Sequence, residues 1–176
     1  MSFLNPTITA QSLDILPGMR IVDFGCGSGH WAVSLAKATG PAGKVFAIDI
    51  QESALEATRA QARYAHLQNI ETIRANVERA GGIMLKDGTV DAVMISNMLF
   101  QADEKAVVVA QAARILKPHG RVFLIEWDET ESLAGPPASQ RISRQTAEQL
   151  FGKEGLRMEK EFNAGAHHYG LIFRKT

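Results

Sequence analysis

Cysteine is almost missing from this chain: Cys26 is the single one in 176 residues. One thiol makes no intramolecular disulfide and no thiolate metal cluster, and it fits a reducing compartment. Net charge is missing too. Nineteen Lys and Arg balance 19 Asp and Glu, so nothing draws the whole molecule toward nucleic acid or an anionic membrane. A nucleic-acid substrate is disfavoured on that ground, short of a local basic patch. No run approaches the ~20 apolar residues of a membrane span. The N-terminus has no basic-then-apolar signal layout, and the expectation is a cytoplasmic protein without a membrane span. Repeats and low-complexity tracts are absent as well.

What the chain does have is ordinary globular material. Apolar residues make up 45% and charged residues 22%, and the length suits a single domain, 1–176, with a substantial core. Its most informative stretch is Ile21-Val22-Asp23-Phe24-Gly25-Cys26-Gly27-Ser28-Gly29-His30. An apolar strand runs into glycines spaced G-x-G-x-G, and a helix-forming run from Trp31 to Ala38 follows at once. Glycine tolerates positive φ and lets another group approach the backbone. The amides and the dipole at such a strand-to-helix turn favour an anionic ligand group. Asp49, twenty residues past Gly29 at the end of the strand Lys44 to Ile50, is placed to accept hydrogen bonds from a ribose diol. A nucleoside-bearing ligand is the consequence.

Spacing narrows the choice. The dinucleotide fingerprint G-x-G-x-x-G, aligned on Gly25 and Gly27, puts His30 where its third glycine belongs. That disfavours a nicotinamide-dependent oxidoreductase. With Asp23 ahead of Gly25, Gly27 and Gly29, the stretch instead resembles the first motif of the class I S-adenosylmethionine-dependent methyltransferases, in the manner of type 11 and type 25 domains. The turn Leu116-Lys117-Pro118-His119-Gly120 before an apolar strand resembles the family as well. The resemblance implies S-adenosylmethionine as the cofactor. It also implies an α/β, Rossmann-like, doubly wound sheet of seven strands, mostly parallel with the last strand antiparallel beside the fifth, and helices on both faces.

The chain in order supports that layout. Thr9 to Leu16 reads as a helix ending at Pro17-Gly18. Ser53-Ala54-Leu55-Glu56 reads as a capping box at or inside the start of a helix running to about Gln68. Strands are expected over Ile70 to Ala75, Val90 to Ser96 and Arg121 to Glu126, with a helix from Ala102 or Asp103 through Leu116. Ser143 caps the last helix, with Ala147, Leu150 and Phe151 inward, before strands Leu156 to Phe162 and His168 to Lys175. Thr130 to Arg141 reads as loop.

In an open parallel sheet, ligands sit at the carboxyl ends of the strands. The expected cofactor contacts are Asp23, Gly25, Gly27, Gly29, Asp49, Ile50, Asn76, Val77 and Asn97. In the resembling family the residue at Asn76 is usually acidic and lies at the adenine edge; an asparagine carbonyl can still accept from the exocyclic amine. Asp49 as a helix N-cap, Asn76 as a turn residue, and Ile50 and Val77 as plain core are the competing readings. Asn97, Trp127, Asp128 and His168 are the candidates for positioning or deprotonating an acceptor, without a catalytic assignment among them. Phe3, Met98, Phe100 and Trp127 form either an apolar substrate wall or core. His30 reads as a contact to the ligand's carboxylate end or as helix surface, and Cys26 as a small packing residue. Adjacent strand positions face opposite ways, so His167-His168 is not read as a metal site. Asp128-Glu129-Thr130-Glu131 reads as a solvated loop.

The expected function is methyl transfer from S-adenosylmethionine to a small molecule, with a protein side chain as the second choice of acceptor. A non-catalytic S-adenosylmethionine-binding subunit is the rival from another class, and a monomer or homodimer the expected assembly. Asn97-Met98-Leu99-Phe100 lacks the prolines of the N-P-P-Y motif, so the activities tied to that motif are not carried over.

Overall fold

The computed structural model describes residues 3–130 and 135–176. Among the described residues, seven strands form one sheet in the order β3-β2-β1-β4-β5-β7-β6. They are β1 (Arg20–Phe24), β2 (Lys44–Asp49), β3 (Ile70–Arg74), β4 (Val90–Ser96), β5 (Leu116–Trp127), β6 (Leu156–Phe162) and β7 (His168–Lys175). β1 to β5 pair in parallel, and β7 pairs antiparallel with both β5 and β6. The expected fold class is observed.

Alternation along the central strands sorts the core into two layers, because successive side chains face opposite sides of a sheet. Val22, Phe24, Val93, Ile95, Val122 and Leu124 pack on one face with α4 (Lys105–Ile115) and α5 (Arg144–Gly152). Ile21, Ala92, Met94, Phe123 and Ile125 pack on the other with α2 (His30–Thr39) and α3 (Glu52–Tyr64). Both faces of β1, β4 and β5 are therefore apolar, which is why these strands read as near-continuous hydrophobic runs. The chain changes sides between β1 and β4, and the crevice at that switch point is where a ligand fits.

Three local expectations are corrected. The first helix, α1, is Pro6–Ala10, upstream of the expected Thr9 to Leu16. Asn5 Oδ1 accepts from Thr7 and Ile8 N–H with Pro6 in the first turn, a start signal stronger than the apolar residues that follow. Ser53 does not cap α3: the N-cap is Gln51, whose N–H reaches Asp49 Oδ1 at 3.0 Å. Helix α4 begins at Lys105 rather than Ala102 or Asp103, because Glu78 Oε2 accepts from Asp103 and Glu104 N–H at 2.7 and 3.0 Å. That cap comes from a loop 25 residues away. The last helix matches expectation, with Ser143 Oγ accepting from Thr146 N–H.

Candidate active site

At the carboxyl ends of β1, β2 and β3, with the segment after β4 closing one side, lies a cleft of about 510 Å³. Gly25, Gly27, Asp49, Ile50, Asn76, Val77 and Asn97 line it, bringing together seven of the nine residues expected to contact a cofactor. Gly25, Gly27 and Gly29 all have positive φ, 69°, 50° and 85°, and each needs glycine for a different reason. A Cβ on Gly25 would come within 2.9 Å of Met98 Cγ, whereas one on Gly27 would meet nothing within 4 Å. Gly27 therefore borders open cleft. Gly29 is packed away from it, since its Cβ would strike the Thr58 backbone at 2.8 Å.

Asp49 lines the cleft at the carboxyl end of β2. Its Oδ2 accepts from Gly27 N–H and its Oδ1 from Gln51 N–H, both at 3.0 Å. A carboxylate has about four lone-pair sites, so each oxygen keeps capacity facing the cleft. The N-cap position of α3 is Gln51, so Asp49 is not the cap itself but ties the residue that fills it. Ile50 is 55% exposed, an isoleucine with nothing over it except the cleft. Val77 is buried and belongs to the core as well as to the cleft wall. Asn76 Oδ1 accepts from Glu78 N–H at 2.9 Å, so one lone pair is committed to the turn and one remains.

Asp23 lies beneath the glycine turn rather than along the cleft. It is 2% exposed, its Oδ2 has no partner, and burial together with the neighbouring Asp49 charge raises its carboxyl to about 8. The Ala32 backbone N–H acts the other way. At neutral pH this group is a buried acid, and an approaching cation would favour its ionised form.

The other half of the site lies at the ends of β4, β5 and β7. Asn97 follows β4 at φ 50°, and its Nδ2 is 3.0 Å from His168 Nε2. The His168 and Trp127 rings are 4.2 Å apart between centroids. Gly135 backs the Trp127 ring so closely that a Cβ there would lie 2.6 Å away. Asp128 is held in a turn by Thr130, whose N–H and Oγ1–H both donate to Asp128 Oδ1. Met98 and Phe100 are half-buried against the core, while Phe3 is 69% exposed beside His167. His30 is exposed on the first turn of α2. Glu131, the end of the acidic run, falls outside the described residues.

Sequence reasoning missed Glu126. It is fully buried at the end of β5, and its Oε1 accepts from the N–H groups of Met98, Leu99 and Phe100 at 3.1, 2.7 and 3.3 Å. Burial raises its carboxyl to about 7 despite these donors. The carboxylate thereby shapes the segment that carries Asn97 and Met98 into the cleft. An acid closing an otherwise apolar central strand was the available signal. Gln51, Ala54, Glu78 and Gln101 also line the cleft and had no motif to mark them.

Residues 21–120 match the family model described as a methyltransferase domain. The chain belongs to this methyltransferase family. The demethylmenaquinone methyltransferase of Lactococcus lactis is 34% identical over 118 residues, which cover 67% of this methyltransferase and 46% of the relative. That of Bacillus mycoides is 28% identical over 155 residues, 88% of this chain and 64% of the relative. The chain thus spans about half to under two thirds of the length of these curated relatives. A crystal structure of an S-adenosylmethionine-dependent methyltransferase from Aquifex aeolicus superposes with a TM-score of 0.89 at 24% identity, covering 99% of this chain and 91% of that one. At that identity the likeness establishes the fold.

S-adenosylmethionine is the cofactor in the name of the Aquifex aeolicus neighbour, and the residues present here fit it. Asp49 offers acceptors for a ribose diol, Ile50 an exposed apolar surface for a flat base, and Gly27 an open backbone. Asp23 Oδ2, beneath the glycine turn, is a buried oxygen without a donor, a group an ammonium would satisfy. Cys26 takes no part: it is buried, its thiol contacts Thr58 Oγ1 at 3.4 Å, and burial pushes it up to about 12. Native protein at pH 8 is expected to react with a thiol-specific disulfide reagent at least about a hundredfold more slowly than unfolded chain, since thiolate is the reacting species. A thiol count completed at the same speed in both states would contradict that burial. Among the described residues, no three or more His, Cys, Asp or Glu gather as a metal site.

Proposed function

We propose that this protein transfers the methyl group of S-adenosylmethionine to a small, flat organic acceptor held against Trp127 and His168. The observation that carries this reading is the shape of the site. Asn97 lines the cleft suited to a nucleoside, and its side chain touches His168, whose ring lies tilted against Trp127 just outside that cleft. The relatives named for demethylmenaquinone support a small-molecule acceptor with a planar ring system.

When bound, S-adenosylmethionine supplies an electrophilic methyl carbon on a sulfonium that leaves as a neutral thioether. The protein's task is mostly placement, and near-attack orientation is worth up to ~7–11 kcal/mol in favourable systems. Asp49 and Gly27 fix the nucleoside end, and Asp23 lies beneath the turn as a charge reserve for the amino-acid end. Glu126 holds the backbone of residues 98–100 so that Asn97 and Met98 border both ligands. Trp127, pinned between His168 and Gly135, is held rigid and offers the acceptor its ring edge. Arg141 braces that wall, donating to the carbonyls of Pro136, Asp128 and Thr130.

Incubation with methyl-labelled S-adenosylmethionine and a reduced short-chain demethylated naphthoquinone is expected to move label into the organic extract. Trp127→Ala is expected to cost about tenfold or more in kcat/KM while cofactor affinity stays within about twofold, because an edge-on aromatic contact worth ~1.4 kcal/mol is lost on the acceptor side alone. Label appearing only in added protein or RNA would reject the small-molecule reading.

A further inference from the structure

Three neighbouring strands deliver three touching side chains to the acceptor wall. Asn97 follows β4, Trp127 ends β5, and His168 begins β7 as the register partner of Trp127. His168 Nδ1 lies 2.8 Å from the Ala166 carbonyl oxygen, and Nε2 lies 3.0 Å from Asn97 Nδ2. A carbonyl only accepts, so Nδ1 carries the proton. Burial disfavours the charged ring and holds it below the usual imidazole range, which leaves Nε2 with a lone pair to which the Asn97 amide donates.

This arrangement satisfies His168 but not Asn97, whose Oδ1 is buried without a donor. Turning the amide over does not help. Oδ1 would then face Nε2 and require an imidazolium, and the amide nitrogen would become the orphan. Asn97 also sits in the left-handed region that non-glycine residues seldom adopt, held there by its N–H on the Ile125 carbonyl at 2.8 Å. Strain and an unpartnered buried oxygen persist where the surrounding structure enforces them, and they cluster at ligand sites. Here they coincide with a basic nitrogen one residue from the cofactor cleft.

We infer that His168 Nε2 accepts the proton of the methyl acceptor, and that the acceptor group is an ionisable hydroxyl on an aromatic ring lying against Trp127. The inference rests on the methyl-transfer reading above and names its acceptor chemistry. An aromatic hydroxyl reaching Nε2 displaces the Asn97 amide, which is freed to donate to the resulting oxyanion. The hydroxyl proton passes to Nε2, the oxyanion's electron pair forms the bond to the methyl carbon, and the carbon–sulfur bond breaks with its pair retained on sulfur. The imidazolium then returns its proton to water. The charged groups facing His168 leave it suited to this task. Asp128 favours the imidazolium, while His167 and Arg141 oppose it.

Calorimetry on protein loaded with S-adenosylhomocysteine tests this, using 1-naphthol and its methyl ether, 1-methoxynaphthalene. The wild type is expected to bind the naphthol about tenfold or more tightly than the ether, the worth of one good hydrogen bond. His168→Phe, which keeps a stacking ring, is expected to bind both alike. Equal binding in the wild type, or a preference that survives in His168→Phe, would overturn the inference. Nitrogen-15 spectra of wild-type protein give a second readout independent of the variant's folding. Nε2 is expected to show the unprotonated signal and to shift with naphthol but not with the ether; a protonated Nε2 in the ligand-free spectrum would overturn the inference. Failure of S-adenosylhomocysteine itself to bind would reject the methyl-transfer reading instead, which separates the two failures.

Discussion

Asp49→Ala is expected to bind S-adenosylhomocysteine at least about a hundredfold more weakly than the parent chain, while remaining folded. A hydrogen bond to a charged group contributes ~1.5–3 kcal/mol, and a diol would make two to this carboxylate, so a loss of roughly 3 kcal/mol or more follows. The variant also releases Gly27 N–H and Gln51 N–H from their 3.0 Å contacts, loosening the glycine turn and the start of α3 together. Asp49→Asn keeps one acceptor oxygen and is expected to fall between the two. Calorimetric titration of the three proteins measures the series. Equal affinities would mean that the carboxylate does not touch the ligand.

The second large effect concerns stability. Glu126→Ala strands the N–H groups of Met98, Leu99 and Phe100, which Oε1 now receives. Unsatisfied buried donors cost ~1–3 kcal/mol each. Leu99 N–H is buried and the other two are part-buried, so a loss in the lower part of the summed range, roughly 3–6 kcal/mol, is expected, which lowers the thermal midpoint by about 10 °C or more. Glu126→Gln retains an acceptor and is expected to lose far less. It also changes the pH dependence. Glu126 rises from 4.5 to about 7 in the fold, and Asp23 from 3.8 to about 8. A raised carboxyl means that the folded state holds a proton the unfolded chain has released. The stabilising contribution is complete below the unfolded values and is lost as pH rises through the folded ones. The melting temperature of the ligand-free protein is therefore expected to fall between about pH 5 and pH 8, and more shallowly in Glu126→Gln. A midpoint that rises over this range would contradict the burial of these two acids.

What could be read without coordinates followed from backbone rules. G-x-G-x-G after Asp23, a carboxylate at the end of the next strand, and apolar runs covered on both faces left one architecture and one side of the sheet for the ligand. Seven of the nine expected contacts share a cleft for that reason. Asp23 and Gly29 stand apart because a motif records spacing rather than direction: one side chain turns under the loop, and the other glycine faces Thr58. The acceptor side was less legible. Asn97, Trp127 and His168 lie 30 or more residues apart in sequence and meet only through the β4-β5-β7 register. Glu126 stayed hidden because its partners are backbone amides, which no residue type announces. Glu78 capping α4 from a distant loop is the same kind of contact.

A crystal structure grown with S-adenosylhomocysteine tests the central claim most directly. Density for the nucleoside is expected over Ile50, with both ribose hydroxyls on the Asp49 carboxylate and the amino-acid end above the Gly25–Gly27 turn. Ligand density at any other place on the protein, or an Asp49 carboxylate turned away from a bound nucleoside, would contradict it.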